Sequence, residues 1–278
     1  GFTPFKAFIE GDITLTTYDT LIYTFYGFRS YGHHLLLSVG KIAGALIILD
    51  EAQLLQDAHW YSLSLLPHHV ANFLAFGATV VVMTATLPQI LVKETLNAVK
   101  SPYLTTSHNL LKVNPNEDSI ERGSLEVSLR SGCLLDEVPA LASNCEKPLL
   151  LVFNTVERAA AAYQQLAANG YDNLVLLHSR LISGVKRDRE TIFEKNGQKR
   201  DLIVVATQVV EAGVDYDFKT IATEISPIDS LIQRLGRCAR RNDGYAIVYS
   251  DPEQAKHVYP QALVDQTLRA IDGDLLAE

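Results

Sequence analysis

The sequence predicts an α/β protein with mainly parallel sheets, and two observations carry that expectation. Apolar runs of strand length alternate with longer segments of helical patterning along the chain. Such alternation is how strand–helix–strand units read in sequence. Residues 100–146 then break the rhythm: Pro102, Asn114-Pro115-Asn116, Gly123 and Gly132 punctuate a stretch of scattered charge. That predicts a connection between two globular units and an irregular entry to the second. At 278 residues and 47% hydrophobic, the chain has ample material for their cores.

Taken in order, strands are expected at 13–16, 45–49 and 80–83, with helices at 60–76 and 88–99. Trp60 and Tyr61 read as core residues of the first of these helices. Beyond residue 146, strands are expected at 149–153, 174–177, 202–206, 220–225 and 245–249. Helices are expected at 156–168, 185–194, 228–237 and 253–270. No internal repeat or low-complexity tract interrupts this order.

Chemistry gathers where the strands end. Asp50-Glu51-Ala52-Gln53 follows the run 45–49. Carboxylates at the carboxyl end of a parallel strand sit where open α/β sheets bind ligands. Asp50 can hold Mg2+ through one oxygen, and Glu51 can orient or deprotonate an attacking water. Thr84-Ala85-Thr86 follows the run 80–83, with hydroxyls able to link a phosphate site to a neighbouring domain. Most informative is 202–241, where a strand leads into Thr207 to Asp215 and then into Gln233-Arg234-Leu235-Gly236-Arg237-Cys238-Ala239-Arg240. Three arginines around one glycine on an acidic chain have no obvious packing purpose. Arginine is costly to bury and forks well onto phosphate oxygens. On the expected helix, Arg237 and Arg240 lie three residues apart on one face, the arrangement of an arginine finger for phosphoryl transfer.

Together these residues resemble a superfamily 2 helicase built from two RecA-like lobes. Asp50 to Gln53 looks like motif II, Thr84 to Thr86 like motif III, Thr207 to Asp215 like motif V and Gln233 to Arg240 like motif VI. The wording TQVVEAGVD followed by SPIDSLIQRLGRCAR is similar to the CRISPR-associated helicase of type I systems. The resemblance covers most of residues 11–250 and implies an ATP-dependent DNA helicase or translocase that unwinds target DNA for a nuclease. It implies ATP with Mg2+ between the lobes: Asp50 on the metal, Glu51 as water activator, and Arg237 and Arg240 at the γ-phosphate, with Arg234 in support. Gln53, Gly213, Asp215 and Gln233 would complete the nucleotide site, and Thr84 and Thr86 would couple it to movement. The family usually has His where Gln53 stands.

The resemblance also implies a nucleic-acid track. A motor that steps without reading sequence meets phosphates through hydroxyls, amides and backbone N–H groups. Thr16 and Thr17, Asn154 and Thr155, His178, Ser179 and Arg180, and Thr207 and Gln208 all follow expected strands, on one sheet edge in each lobe. The local alternative for Ser, Thr and Asn at such places is helix capping. Implied partners are single-stranded DNA, an RNA-guided surveillance complex and a His-Asp nuclease, fused upstream or supplied as a separate chain.

The fold class expected is therefore α/β, two RecA-like lobes with mainly parallel sheets, the first lobe incomplete. Residues 1–100 would be the later part of lobe 1, 101–146 the connection and entry, and 147–278 lobe 2. The incompleteness follows from motif I. The chain contains no G-x-x-x-x-G-K-[ST]; Gly40-Lys41 is followed by Ile42. Residue 1 is Gly, the only methionine is Met83, and no His-Asp dipeptide occurs. The sequence thus reads as the later part of a longer protein, inactive as an ATPase by itself, with apolar surface on the first sheet left uncovered or borrowed from a neighbour. The acids and the arginines are expected on facing surfaces.

Composition narrows the classes further. A net charge of −8 argues against a protein that coats nucleic acid generically. No apolar run reaches membrane-span length and no signal peptide is visible. Cys133, Cys145 and Cys238 lack metal spacing and fit free thiols in a reducing cytoplasm. His33-His34 and His68-His69 lack a third ligand, which argues against a metal site. Two other readings stand beside the leading one. One is another superfamily 2 motor, such as a restriction translocase or a DEAH-type RNA helicase. The other is a non-catalytic helicase fragment acting as an interaction module.

Overall fold

A computed structural model describes residues 12–26, 35–52, 61–84, 89–100, 123–180, 201–211 and 216–273. The chain divides into two compact units, Gly1–Asn114 and Pro115–Glu278.

In the first unit, α1 (Tyr18–Phe25) and α2 (Leu35–Ile42) precede β1 (Leu46–Leu49), α3 (Tyr61–Ala75), β2 (Thr79–Val82) and α4 (Gln89–Val99). β1 and β2 pair in parallel, Leu46 opposite Thr79 and Leu49 opposite Val82. One face of this pair is packed: Ile47 and Leu49 join Phe25, Leu66, Val70, Phe73 and Leu91 in a core. Phe25 meets Phe73 edge-on at 5.0 Å. The opposite face is open, with Leu46 62% and Ile48 54% exposed. Parallel strands normally have both faces covered; among the described residues this pair is covered on one.

The first strand expected in this unit does not form. Residues 13–16 are not a strand; the segment is irregular, with Ile13 95% and Leu15 101% exposed. Thr17 instead caps α1, its side chain accepting from the Thr20 N–H, which satisfies a helix-end donor. His69 is buried and shares a hydrogen bond with the Tyr18 hydroxyl, and burial holds its imidazole below its ordinary pKa.

The second unit contains β3 (Leu125–Arg130), α5 (Leu134–Asn144), β4 (Leu149–Val152), α6 (Val156–Ala168), β5 (Leu174–Leu177) and β6 (Ile203–Ala206). It continues through β7 (Thr220–Glu224), α7 (Ile228–Leu235), β8 (Gly244–Tyr249) and α8 (Gln261–Gly273). Among the described residues the sheet has six strands in the order β3-β8-β7-β4-β6-β5, all pairs parallel. The stretch expected as irregular entry is therefore partly regular: β3 pairs along its length with β8, and α5 joins the core. Its strand signal is weak because LEVSLR carries two charges, a pattern an edge strand tolerates.

Both faces of this sheet are covered. Leu149, Leu151 and Phe153 face Val138, Leu141, Ala159 and Leu166 of α5 and α6. On the other side, Val248 and Ile225 pack with Leu231 of α7 and Val264 and Ile271 of α8. This two-sided burial explains why β4, β6 and β7 are buried at every position. The C-terminal helix starts later than expected: Pro252–Gln254 forms a short 3-10 turn, and α8 begins at Gln261.

Candidate functional site

In the first unit, parallel pairing brings the ends of β1 and β2 to the same edge. The Met83 N–H donates to the Leu49 carbonyl at 2.8 Å, and the Ala52 N–H donates to the Met83 carbonyl at 3.0 Å. Between these anchors the chain turns sharply. Glu51 adopts φ of 50°, a left-handed conformation that costs a non-glycine residue energy. Its N–H donates to Asp50 Oδ1 at 2.9 Å, and Ala52 is buried behind it. The turn leaves Asp50 and Glu51 exposed, with half-buried Thr84 next along the neighbouring strand. Gln53 and Thr86 lie outside the described residues.

The Asp50 carboxylate suits a hard divalent cation. Among the described residues no cluster of three His, Cys, Asp or Glu side chains can hold a metal unaided.

In the second unit, the sequence-predicted residues also collect at the carboxyl edge of a parallel sheet, around Arg234. Arg234 is fully buried, and each of its five N–H donors has a partner. Nε donates to Glu211 Oε1 at 2.8 Å. Nη1 donates to Thr223 Oγ1 at 3.0 Å and to the Glu224 carbonyl at 3.1 Å. Nη2 donates to Asn154 Oδ1 at 3.0 Å and to the Tyr259 hydroxyl at 2.9 Å. The support role expected of Arg234 thus takes a definite form, binding four segments to α7.

Asn154 is equally committed. Its Nδ2 donates to the carbonyls of Ile225 and Gln254, at 2.9 and 3.0 Å. Its backbone N–H donates to Glu224 Oε2 at 2.7 Å. Buried and saturated, the Asn154 side chain holds the fold, where the sequence pointed to a nucleic-acid contact. Thr155 caps α6 by accepting from the Arg158 N–H at 3.3 Å. Gln208 Nε2 donates to the Asn154 carbonyl at 2.9 Å, and Thr207 is buried. On the same edge, Ser179 and Arg180 are exposed and His178 is half-buried. Arg180 forms an exposed ion pair with Glu157 at 2.7 Å.

The arginines of the last motif are not on one helical face. α7 ends at Leu235, with Gly236 as its cap. A side chain on Gly236 would press the Ile232 carbonyl at 3.2 Å. The chain then turns: the Cys238 N–H donates to Leu235, and Ala239 has φ of 56°. Asp217 fixes the turn by accepting from the N–H groups of Arg240 and Arg241, at 2.9 and 3.0 Å. Arg237 donates from Nη2 to the Glu211 carbonyl, and Arg240 from Nε to the Gly236 carbonyl at 2.9 Å. Gln233 is half-buried on α7. Gly213 and Asp215 lie outside the described residues.

Residues 145–243 match the family model described as CRISPR-associated nuclease/helicase Cas3, C-terminal. Over 278 aligned residues, 96% of this chain, it is 30% identical to the CRISPR-associated helicase Cas3 of Thermoproteus tenax. Over most of its length the chain is similar to Cas3 helicases. It spans 45% of the length of that Cas3 relative. Its fold is that of T. fusca Cas3 solved with ADP, with a TM-score of 0.67 at 23% identity, covering 86% of this chain and 35% of that one. A chain in a CRISPR RNA-guided surveillance complex, pre-nicking, gives a TM-score of 0.67 at 22% identity, covering 91% of this chain and 37% of that one.

Within this Cas3 relative, sequence reasoning missed the partners of Arg234. Glu211 stood inside the quoted motif without a role. Glu224 ends a strand buried at every position, and a carboxylate in such a strand signals a buried partner. That partner is Arg158, with which it forms an ion pair. Burial pushes the Glu224 carboxyl up to about 7, against the opposing pull of the Asn154 N–H and the Arg158 and Arg234 guanidinium groups.

Proposed function

We propose that this chain is part of an ATP-dependent DNA helicase or translocase acting in a type I CRISPR interference system. The observation that carries the reading is the pair of exposed acids, Asp50 and Glu51, on the edge shared with Thr84, in a chain whose relatives are Cas3 helicases. In this proposal the Asp50 carboxylate is the Mg2+ ligand, and the Glu51 carboxylate accepts a proton from the attacking water. The guanidinium groups of Arg237 and Arg240 stabilise negative charge developing on the transferred phosphoryl group. Bound Mg2+ supplies Lewis-acid polarisation of phosphate oxygens.

The T. fusca Cas3 solved with ADP supports nucleotide binding, and the surveillance complex containing a similar chain supports that assembly as a partner. Ser179, Arg180, Thr16 and Thr17 are the exposed candidates for contact with single-stranded DNA, for use by a His-Asp nuclease in cis or in trans. Localisation in the cytoplasm belongs to the same proposal.

The test is ATP hydrolysis by the complete protein containing this chain, with single-stranded DNA or single-stranded RNA added. DNA stimulation that disappears in Glu51→Gln is the expected result. RNA stimulation alone would favour the DEAH-type reading, and undiminished hydrolysis by Glu51→Gln would remove Glu51 from the chemistry.

A further inference from the structure

Glu211 stands between two arginines of the second unit and uses a different group for each. Its carboxylate accepts from buried Arg234 Nε at 2.8 Å, with the Glu211 side chain itself only 11% exposed. Its main-chain carbonyl accepts from Arg237 Nη2. The residue sits at the carboxyl side of a short 3-10 turn, Gln208–Val210, and its own N–H closes back onto the Gln208 carbonyl at 3.0 Å. Arg234 is in turn fixed by Thr223, Glu224, Asn154 and Tyr259.

We infer that Glu211 is a positioning residue for Arg237. The chain of contacts has a direction: the buried network fixes Arg234, Arg234 fixes the Glu211 carboxylate, and the carboxylate fixes the carbonyl on which Arg237 rests. An arginine side chain carries considerable rotamer entropy. Anchoring one N–H sets the plane and reach of the guanidinium before any anion arrives, and pre-organised donors cost no reorganisation when charge develops. Position 237 lies beyond the end of α7, where helix geometry no longer orients the side chain, so orientation has to come from a tertiary contact. Without the carboxylate, the carbonyl is still present but the loop that carries it loses its tie to the network.

This inference deepens the proposed role of Arg237 and rests on it for its kinetic consequence only. Two measurements separate them. The first needs no activity. Phenylglyoxal labelling of arginine side chains, read by peptide mass spectrometry on the complete folded protein, should modify Arg237 several-fold faster in Glu211→Ala than in the parent. Exposed Arg180 serves as the internal standard, and Glu211→Gln, which keeps an acceptor for Arg234 Nε, should return the rate towards the parent. An unchanged Arg237 rate in Glu211→Ala overturns the positioning role whether or not the protein hydrolyses ATP.

The second measurement uses the complete protein. Glu211→Ala should lower kcat about tenfold with KM for ATP within about twofold, the signature of an interaction used in the transition state. Adding Arg237→Ala to Glu211→Ala should cost no more than Arg237→Ala alone, since Glu211 acts through Arg237. Fully multiplicative losses would overturn the inference. Glu51→Gln measured alongside reports independently on the proposed chemistry.

Discussion

Arg234→Ala tests the central arrangement of the second unit. The substitution removes five N–H donors from a side chain with no solvent exposure. It strands the Glu211 carboxylate, the Thr223 and Tyr259 hydroxyls, the Glu224 carbonyl and Asn154 Oδ1. Removing one partner of a buried ion pair costs about 3–5 kcal/mol, because the other charge is left uncompensated. The slight exposure of Glu211 places the expected loss towards the lower end, about 3 kcal/mol. A domain of about 150–250 residues loses roughly 2–4 °C of Tm per kcal/mol, so the transition of this unit should fall by about 10 °C. Circular dichroism during thermal unfolding reads it, with urea unfolding as the check on the slope. Arg234→Lys keeps the charge but loses the fork, and should fall between the parent and Arg234→Ala. Arg180→Ala, which breaks the exposed pair with Glu157, should leave the transition where it was. An Arg234→Ala transition within about 1 °C of the parent would refute the reasoning, because the expected shift is several times that.

Three further outcomes follow from the same geometry. Glu224 has a folded-state pKa of about 7 against an ordinary value of 4.5, so the folded state holds its proton more tightly than the unfolded one. Its contribution is fully present below about 4.5 and declines as pH rises through 7, by up to about 3 kcal/mol. Glu224→Gln should flatten that part of the stability–pH curve, and an unchanged slope in urea titrations at several pH values would count against it. Gly244→Ala should destabilise the second unit by about 1–3 kcal/mol through overpacking, because an added Cβ would stand 2.6 Å from Cys238 Sγ and 3.0 Å from the Ala239 nitrogen; thermal unfolding checks it. In the complete protein, Arg240→Ala should cut ATP hydrolysis by about three orders of magnitude, the low end of arginine-finger effects, while filter binding to single-stranded DNA stays near the parent level. Collapse of binding with unchanged turnover per bound complex would assign Arg240 to DNA.

Much of this protein is set by sequence-local physics. The strands β4, β5 and β6 are runs of apolar residues that have nowhere to go but a sheet covered on both sides, and α6 begins where Thr155 can cap it. Because the strands are parallel, every residue following a strand lands on one edge. The placement of Asp50, Glu51 and Thr84 in one unit, and of Asn154, Ser179 and Thr207 in the other, was therefore readable from order alone. What each side chain does there was not. Asn154 and Thr207 follow strands just as Ser179 does, yet the first two are buried and the third is exposed. The difference comes from residues up to 100 positions away, such as Gln254 against Asn154, and no local pattern encodes such a contact. The same holds for Arg234 and Arg237: three residues apart in sequence, one is sealed in the interior and the other rests on a carbonyl beyond the helix end. Sequence determined that arginines and acids would gather at strand ends. Tertiary structure decided which of them the fold consumes, because desolvation and the saturation of hydrogen-bonding groups depend on everything packed around a residue.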